Sequence, residues 1–409
     1  MSFSTCLAVR GIHGSSDSRV CRRVALLTAF VVLVAFLFIV AMPVRALAAD
    51  ANDGENGPHP AEAQAWEIID QDGNVLSSHN AQAQMPMASI TKIMTAMVAL
   101  DSGISLDTPV TIPDGLSFQA DAQLCGFKPG ETPTLRDLIM GMLVYSGNDA
   151  ASYIAIAVAG SEDAFAELMN AKAAQLGMTN THFVNPHGLE ADGHYSCAHD
   201  LAIMGRYALE NYPLIAQAVT THSVTLTVGG QPKTFQSTDD LMGSYAGLCG
   251  IKTGAVESGT TFLGSSRRHG IQTFSCVLGC KTHEGRFSDT AILMDWVYDS
   301  YMKGVTFTRK SWPIRLSTYS LGFWGKVVTT SQSDARGRYL PGSRITYSCT
   351  LAKSTLADAN GPTGYASWYQ NGRPLAYATY STGRVITNVS SFNVFALPLF
   401  YDMTELTAA

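Results

Sequence analysis

No Gly-x-Ser-x-Gly elbow occurs in this chain, so none of its serines has the setting of an α/β-hydrolase nucleophile, whatever its ten histidines suggest. Charge is scarce as well. Only 15% of residues are charged against 46% hydrophobic, the balance of a globular chain with a sizeable core and not of a disordered one. Basic residues are not in excess: the whole chain carries −6. The 49 N-terminal residues hold five arginines and one acid, leaving 22 basic and 32 acidic residues beyond them, a net of −10. That balance argues against nucleic acid as a partner. The six cysteines beyond that segment, Cys125, Cys197, Cys249, Cys276, Cys280 and Cys349, lack zinc-site spacing, and Cys276 with Cys280 is not a Cys-x-x-Cys redox pair. Whether they pair or stay as buried thiols is open.

What is present begins with a secretory pattern. Arg10, Arg19, Arg22 and Arg23 precede an almost wholly apolar run from Val24 to Met42, followed by the small-residue stretch Ala46-Leu47-Ala48-Ala49. The run is apolar all round, unlike an amphipathic core helix, and is long enough to span a bilayer. Residues 1–49 are therefore expected to be a signal peptide or an uncleaved anchor through residues 24–42, and the protein extracytoplasmic. Residues 50–61, small, polar and rich in Pro and Gly, read as a linker.

Residues 62–305 read as one α+β domain. AWEIID and NVLSSH flank Asp72-Gly73 as a β-hairpin. Ile90, Ile93, Met94, Met97 and Val98 recur at helical spacing, and Thr134 with Asp137 forms a capping box. Further helices are expected over 150–159, over 161–176 with Ser161 as N-cap and Gly177 as stop, and over Asp289–Tyr301. Strands are expected over 248–255, 260–266 and 271–278, after a loop-rich stretch. Residues 306–409, rich in Thr, Tyr, Val and turn signals such as Asn371-Gly372, read as a smaller all-β domain.

Three short elements carry the chemistry: Ser89-Ile90-Thr91-Lys92, Ser146-Gly147-Asn148 and Lys252-Thr253-Gly254. Singly they are weak. A chain this long holds about one chance Ser-x-x-Lys, and Ser300-Tyr301-Met302-Lys303 is such a decoy, as are Ser78-His79-Asn80 and Ser391-Phe392-Asn393 for the second element. Order removes them, because only Ser146 to Asn148 lies between a Ser-x-x-Lys and the single Lys-Thr-Gly. At positions i and i+3 of a helix, Ser89 and Lys92 share a face, so the amine reaches the hydroxyl. Burial beside a second cation, Lys252, would lower the lysine pKa enough for it to act as a base. Ser146 can relay a proton to a leaving amine, and Asn148 can hold the lysine or a substrate amide. Lys252 and Thr253 on a strand edge would grip an anion, Gly254 and Ala255 would let substrate backbone lie alongside, and the N–H groups of Ser89 and Ala255 would form an oxyanion hole.

These motifs, with their flanking text MPMASITKIMTA, FVNPHGLEADGHYSCAHDLAIMGR and EGRFSDTAILMDW, resemble the serine-type D-alanyl-D-alanine carboxypeptidases, the low-molecular-weight penicillin-binding proteins, over residues 62 to 305. The resemblance implies helices packed around a five-stranded antiparallel sheet, an acyl-enzyme on Ser89 formed from a peptidoglycan stem peptide ending in D-Ala-D-Ala, and covalent inhibition by β-lactams. It implies no metal and no cofactor. It also places Arg286 as the partner of the substrate's terminal carboxylate, a role that suits the guanidinium fork. Two departures bear on substrate preference: Val256 replaces a usual threonine, and Asp121-Ala122-Gln123 stands where serines are common. His187 reads as a loop-holding residue, and His194, Cys197 and His199 lack the spacing of a metal site. The competing readings are a D,D-endopeptidase, a β-lactamase, for which no glutamate-bearing loop is apparent, and a non-catalytic wall-associated protein.

Overall fold

Residues 65–79 form the expected hairpin, with β1 (Ala65–Asp70) and β2 (Val75–His79) antiparallel around Gly73 at φ 85°. Asp70 Oδ1 accepts the backbone N–H groups of Asp72 and Asn74, both at 2.9 Å, which ties the turn. This computed structural model describes residues 57–385 except 121, 311–312, 321–322, 342–343, 352–361 and 371. The apolar run 24–42, most of the 50–61 linker and Asp121 lie outside the described residues. Among those described, no helix is long and apolar enough to cross a membrane.

A 3-10 turn, Ala88–Ile90, leads into α1 (Thr91–Asp101). α2 (Leu135–Val144) starts at the Thr134 capping box, where Asp137 N donates to Thr134 Oγ1 at 3.1 Å and Thr134 N to Asp137 Oδ2 at 3.0 Å. α3 (Asn148–Ala159) begins at Asn148 itself, earlier than expected. α4 (Glu162–Leu176) lies between its Ser161 cap and Gly177 at φ 75°.

The stretch read as loop-rich holds α5 (Ala198–Asn211), α6 (Pro213–Ala218) and a hairpin of β3 (Ser223–Val228) with β4 (Gln231–Gln236). α5 is disguised in the sequence by an unusual cap, the Cys197 thiol accepting from Asp200 N at 3.4 Å, and by Gly205 in its middle. That glycine sits against the sheet: a Cβ there would lie 3.0 Å from Ile251 and Leu263 side-chain carbons.

Three long strands follow, β5 (Leu248–Val256), β6 (Gly259–Arg268) and β7 (Ile271–Cys280). The helix expected from Asp289 begins at His283: α7 (His283–Asp295) is capped by Thr282, whose hydroxyl accepts Gly285 N at 2.9 Å, and a π turn, Trp296–Tyr301, extends it. The antiparallel sheet has the order β2-β1-β7-β6-β5, so the N-terminal hairpin completes a sheet built mainly by residues nearly 200 positions later. Both faces are covered. Trp66 and Ile68 pack with Phe262, Phe287 and Leu293 on the α7 side, while Ala65 and Ile69 join the helical cluster of Ile93, Met97, Leu138 and Ile154. Each large apolar side chain so buried contributes roughly 1.5–3 kcal/mol. The edge strand β5 lies beside the 3-10 turn, and this apposition creates the site.

From Lys303 the chain is all β: β8 (Lys303–Thr308), β9 (Pro313–Ser320), β10 (Phe323–Ser331), β11 (Ala335–Tyr339), β12 (Ile345–Leu351), β13 (Pro362–Gln370) and β14 (Arg373–Val385). β8 pairs with β11, and the others form a second sheet, β12-β13-β14-β10-β9. The boundary expected at 305/306 falls inside β8. β13 and β14 meet at Gly372, at φ 77°, where the turn was expected.

Candidate active site

A cleft of about 930 Å³ is lined by Ser89, Ser146, Asn148, Thr253, Gly254, Ala255 and Arg286, which gathers seven of the nine expected site residues around one space. Lys92 and Lys252, 0% and 2% exposed, lie buried beneath it.

Ser89 occupies the centre of the 3-10 turn, one residue after Ala88, which holds φ 51°. A non-glycine residue adopts that left-handed conformation only when its surroundings enforce it. Thr91 Oγ1 donates to Ala88 O at 2.8 Å, and Thr261 Oγ1 on β6 donates to Met87 O at 3.3 Å, so the turn is tied to both α1 and the sheet. Gly188, at φ 90°, packs against the same carbonyl, and a Cβ there would approach Ala88 O to 2.0 Å.

Lys92 Nζ lies 2.7 Å from Ser89 Oγ, 2.6 Å from Asn148 Oδ1 and 2.6 Å from His187 O. Two of these three partners are carbonyl oxygens, which only accept. A neutral amine has two N–H groups and one lone pair, so donating to both carbonyls turns the lone pair toward the Ser89 hydroxyl. Burial, and next the charge of Lys252, hold the Lys92 pKa well below the usual lysine value. Lys252 is itself lowered to about 7, by burial and by the Arg286 charge, and its Nζ donates to Thr253 O at 3.1 Å.

Ser146 stands in the connection between α2 and α3 at φ 69°. Gly147 after it is backed by Cys125, whose sulfur would be 2.5 Å from any Cβ at 147. Asn148 N donates to Gln123 O at 2.8 Å, and Gln123 Nε2 donates to Tyr145 O at 2.6 Å, so the departure at Gln123 serves to bind its loop to the Ser146 segment. Asp149, outside the three motifs, accepts Cys125 N at 2.9 Å and Gly126 N at 2.7 Å.

On β5, Thr253 Oγ1 is 2.6 Å from Thr238 Oγ1. A Cβ at Gly254 would come within 2.4 Å of Thr261 Oγ1, 2.7 Å of Ala88 Cβ and 3.1 Å of Ser89 N. Glycine is therefore what allows the strand to lie against the turn that carries Ser89. Arg286, 3% exposed, reaches across from α7 and donates through Nη1 to Gly254 O at 2.8 Å. Val256 lines the same cleft.

The histidines hold loops. His187 Nδ1 accepts Leu189 N at 3.2 Å, and its pKa is lowered to about 3, chiefly by burial. His194 Nε2 contacts Thr91 Oγ1 at 2.9 Å, Cys197 caps α5, and His199 Nδ1 meets Glu67 Oε1 at 2.8 Å, so the three groups point to three different partners. Cys125, Cys197, Cys249, Cys276 and Cys280 are free thiols.

With this geometry in view, the comparisons are specific. The family model described as D-alanyl-D-alanine carboxypeptidase matches residues 52–282. The chain belongs to this family. It is 35% identical over 256 residues to the D-alanyl-D-alanine carboxypeptidase DacB2 of Mycobacterium tuberculosis, covering 61% of this chain and 87% of that one. It is 33% identical over 247 residues to DacF of Bacillus subtilis, covering 59% of this chain but 63% of that relative, so the match spans less than two thirds of it. Among solved structures, penicillin-binding protein D2 of Listeria monocytogenes in its cefotaxime-bound form superposes with a TM-score of 0.53 at 32% identity, covering 58% of this chain and 97% of that one. The matched residues of the family model include all three motifs and stop four residues short of Arg286.

Proposed function

We propose that the protein is an extracytoplasmic serine D-alanyl-D-alanine carboxypeptidase that removes the terminal D-alanine from peptidoglycan stem peptides. The observation that carries this reading is the Lys92 amine, buried, held by two carbonyl oxygens and directed at Ser89 Oγ at 2.7 Å. In this reading Ser89 Oγ attacks the carbonyl of the penultimate D-alanine and gives its proton to Lys92. The N–H groups of Ser89 and Ala255 receive the oxyanion. The peptide C–N bond then breaks, the departing D-alanine nitrogen takes a proton passed along Ser146, and water hydrolyses the ester on Ser89. Asn148 holds the lysine. Thr253, with Lys252 behind it, and Arg286 take the terminal carboxylate, while the peptide lies along Gly254 and Ala255. The α+β domain that ends before β8 supplies this chemistry, the strands from Lys303 onward belong to an accessory β domain, and residues 1–49 direct export as a cleaved signal or an anchor through residues 24–42. β-Lactams would acylate the same serine.

The test is incubation of the protein with a pentapeptide ending in D-Ala-D-Ala. Release of free D-alanine, abolished in Ser89→Ala together with labelling by a fluorescent penicillin, is the expected result. In a parallel incubation with cross-linked peptide dimers, cleavage of the dimers with no free D-alanine from the pentapeptide would move the assignment to an endopeptidase, and absence of both would sink it.

A further inference from the structure

At the far end of the cleft a chain of three side chains runs from solvent to the buried guanidinium. Asp240, His283 and Arg286 all line the cleft that contains Ser89. His283 Nε2 lies 2.9 Å from Asp240 Oδ2, and Arg286 Nη2 lies 2.9 Å from His283 Nδ1 against 3.4 Å from Nε2. The directions of these bonds follow from chemistry. A carboxylate only accepts, so the ring proton is on Nε2 and Asp240 takes it, while Arg286 Nη2, within reach of both ring nitrogens, stands over the face of the ring on the Nδ1 side.

Arg286 is thereby gripped on both terminal nitrogens, by Gly254 O on Nη1 and by His283 on Nη2. Each terminal nitrogen keeps one further N–H, the pair that a carboxylate accepts side by side. His283 and Arg286 occupy successive turns of α7, and the ring also packs edge-on against Phe287 at 5.4 Å between centroids, so its position does not depend on the hydrogen bonds alone.

We propose that His283, with its tautomer set by Asp240, is a positioning residue that holds Arg286 in the orientation that selects substrates with a free terminal carboxylate. The inference rests on the carboxypeptidase reading of the cleft and adds to it the residue that sets carboxylate selectivity. Arg286 would touch the substrate's carboxylate, and His283 and Asp240 would act only through Arg286.

The test uses two thioester substrates with the same acyl-D-alanyl part, one whose leaving thiol carries a carboxylate and one whose leaving thiol does not. His283→Phe keeps an aromatic ring against Phe287 and removes the hydrogen bond to Asp240 and the ring nitrogens that face Arg286 Nη2. Its folding is checked by thermal melting. Loss of a hydrogen bond to a charged group is expected to lower the ratio of kcat/KM for the carboxylated over the uncarboxylated ester by about tenfold. A merely structural defect would slow both esters alike. Wild-type protein that prefers the carboxylated ester, with the same preference kept in His283→Phe, overturns this inference alone. Wild-type protein that turns over neither ester overturns the carboxypeptidase reading and this one with it.

Discussion

His194 donates through Nε2 to Thr91 Oγ1 at 2.9 Å, and the threonine hydroxyl passes the constraint on to the carbonyl of Ala88, the residue before Ser89. The tautomer is fixed, because His194 Nδ1 accepts Val184 N at 3.1 Å. A ring 103 residues away thus braces the left-handed turn that presents Ser89. Thr91→Val keeps the volume but strands a buried N–H and a buried carbonyl, each costing about 1–3 kcal/mol. The expected result is a lower melting temperature and acylation by fluorescent penicillin slowed at least about tenfold. Unchanged acylation in a destabilised variant would show that the brace serves stability only.

The same histidines make stability sensitive to acid. His194 is lowered to about 4 and His187 to about 3, each chiefly by burial, so both stay neutral in the fold where an unfolded chain would protonate them. Near neutral pH neither state binds a proton and the fold keeps its full stability. As pH falls from the ordinary histidine value of 6.5 toward those lowered values, the unfolded state takes up protons that the folded state refuses, and stability drops by roughly 2–3 kcal/mol per histidine. Denaturant unfolding at pH 7 and pH 4.5 should show that loss, and His194→Gln should reduce it.

Lys252 offers a test of what lowers the Lys92 pKa. Desolvation is the larger cause of the lowered Lys92 pKa and the Lys252 charge the next, so removing the second cation should raise it. In Lys252→Met the acid limb of the acylation rate is expected to move to higher pH, on top of weaker binding. A limb that stays in place would leave burial as the whole cause.

Much of this site was legible because its chemistry is local. Ser89 with Lys92, Ser146 with Asn148, and Lys252 with Gly254 each sit within four residues of one another, and short spacing on a helix, loop or strand is what a sequence displays directly. Thr91 with His194, Asp149 with Cys125, and Asp240 with His283 are contacts across the fold, carried by residue types that are common anywhere. α5 was hidden for a related reason: Gly205 weakens its helical pattern, yet the glycine is required by contact with Ile251 and Leu263, distant in sequence. The start of α7 was missed because Thr282 was not read as a cap, although Arg286, its key residue, stands only four positions after it.

Gly254 gives the sharpest steric test. A methyl group there would meet Thr261 Oγ1, Ala88 Cβ and Ser89 N at once, and two of these belong to the turn that carries Ser89. Gly254→Ala must therefore push β5 away from Ser89. A displacement approaching 1 Å costs on the order of a hundredfold in acylation. A crystal structure of the variant should show a widened gap between the strand and the turn. Acylation at the wild-type rate would mean that the contact relaxes without displacing Ser89 from the strand.

Asp149 offers the complementary test, of the loop across the cleft. Its carboxylate, 1% exposed, accepts Cys125 N and Ala150 N through Oδ1, both at 2.9 Å, and Gly126 N through Oδ2 at 2.7 Å. These bonds tie the start of α3 to the segment that carries Gln123, which is bonded in turn to Asn148 N and Tyr145 O. Asp149→Ala leaves backbone donors buried without partners, a loss of about 2–5 kcal/mol. Asp149→Asn keeps one acceptor oxygen and is expected to lose less. If the carboxylate also holds the cleft in shape, acylation should fall in the order wild type, Asn, Ala even at temperatures where all three remain folded. Equal rates in the folded variants would confine Asp149 to stability and leave Gln123 to hold the loop unaided.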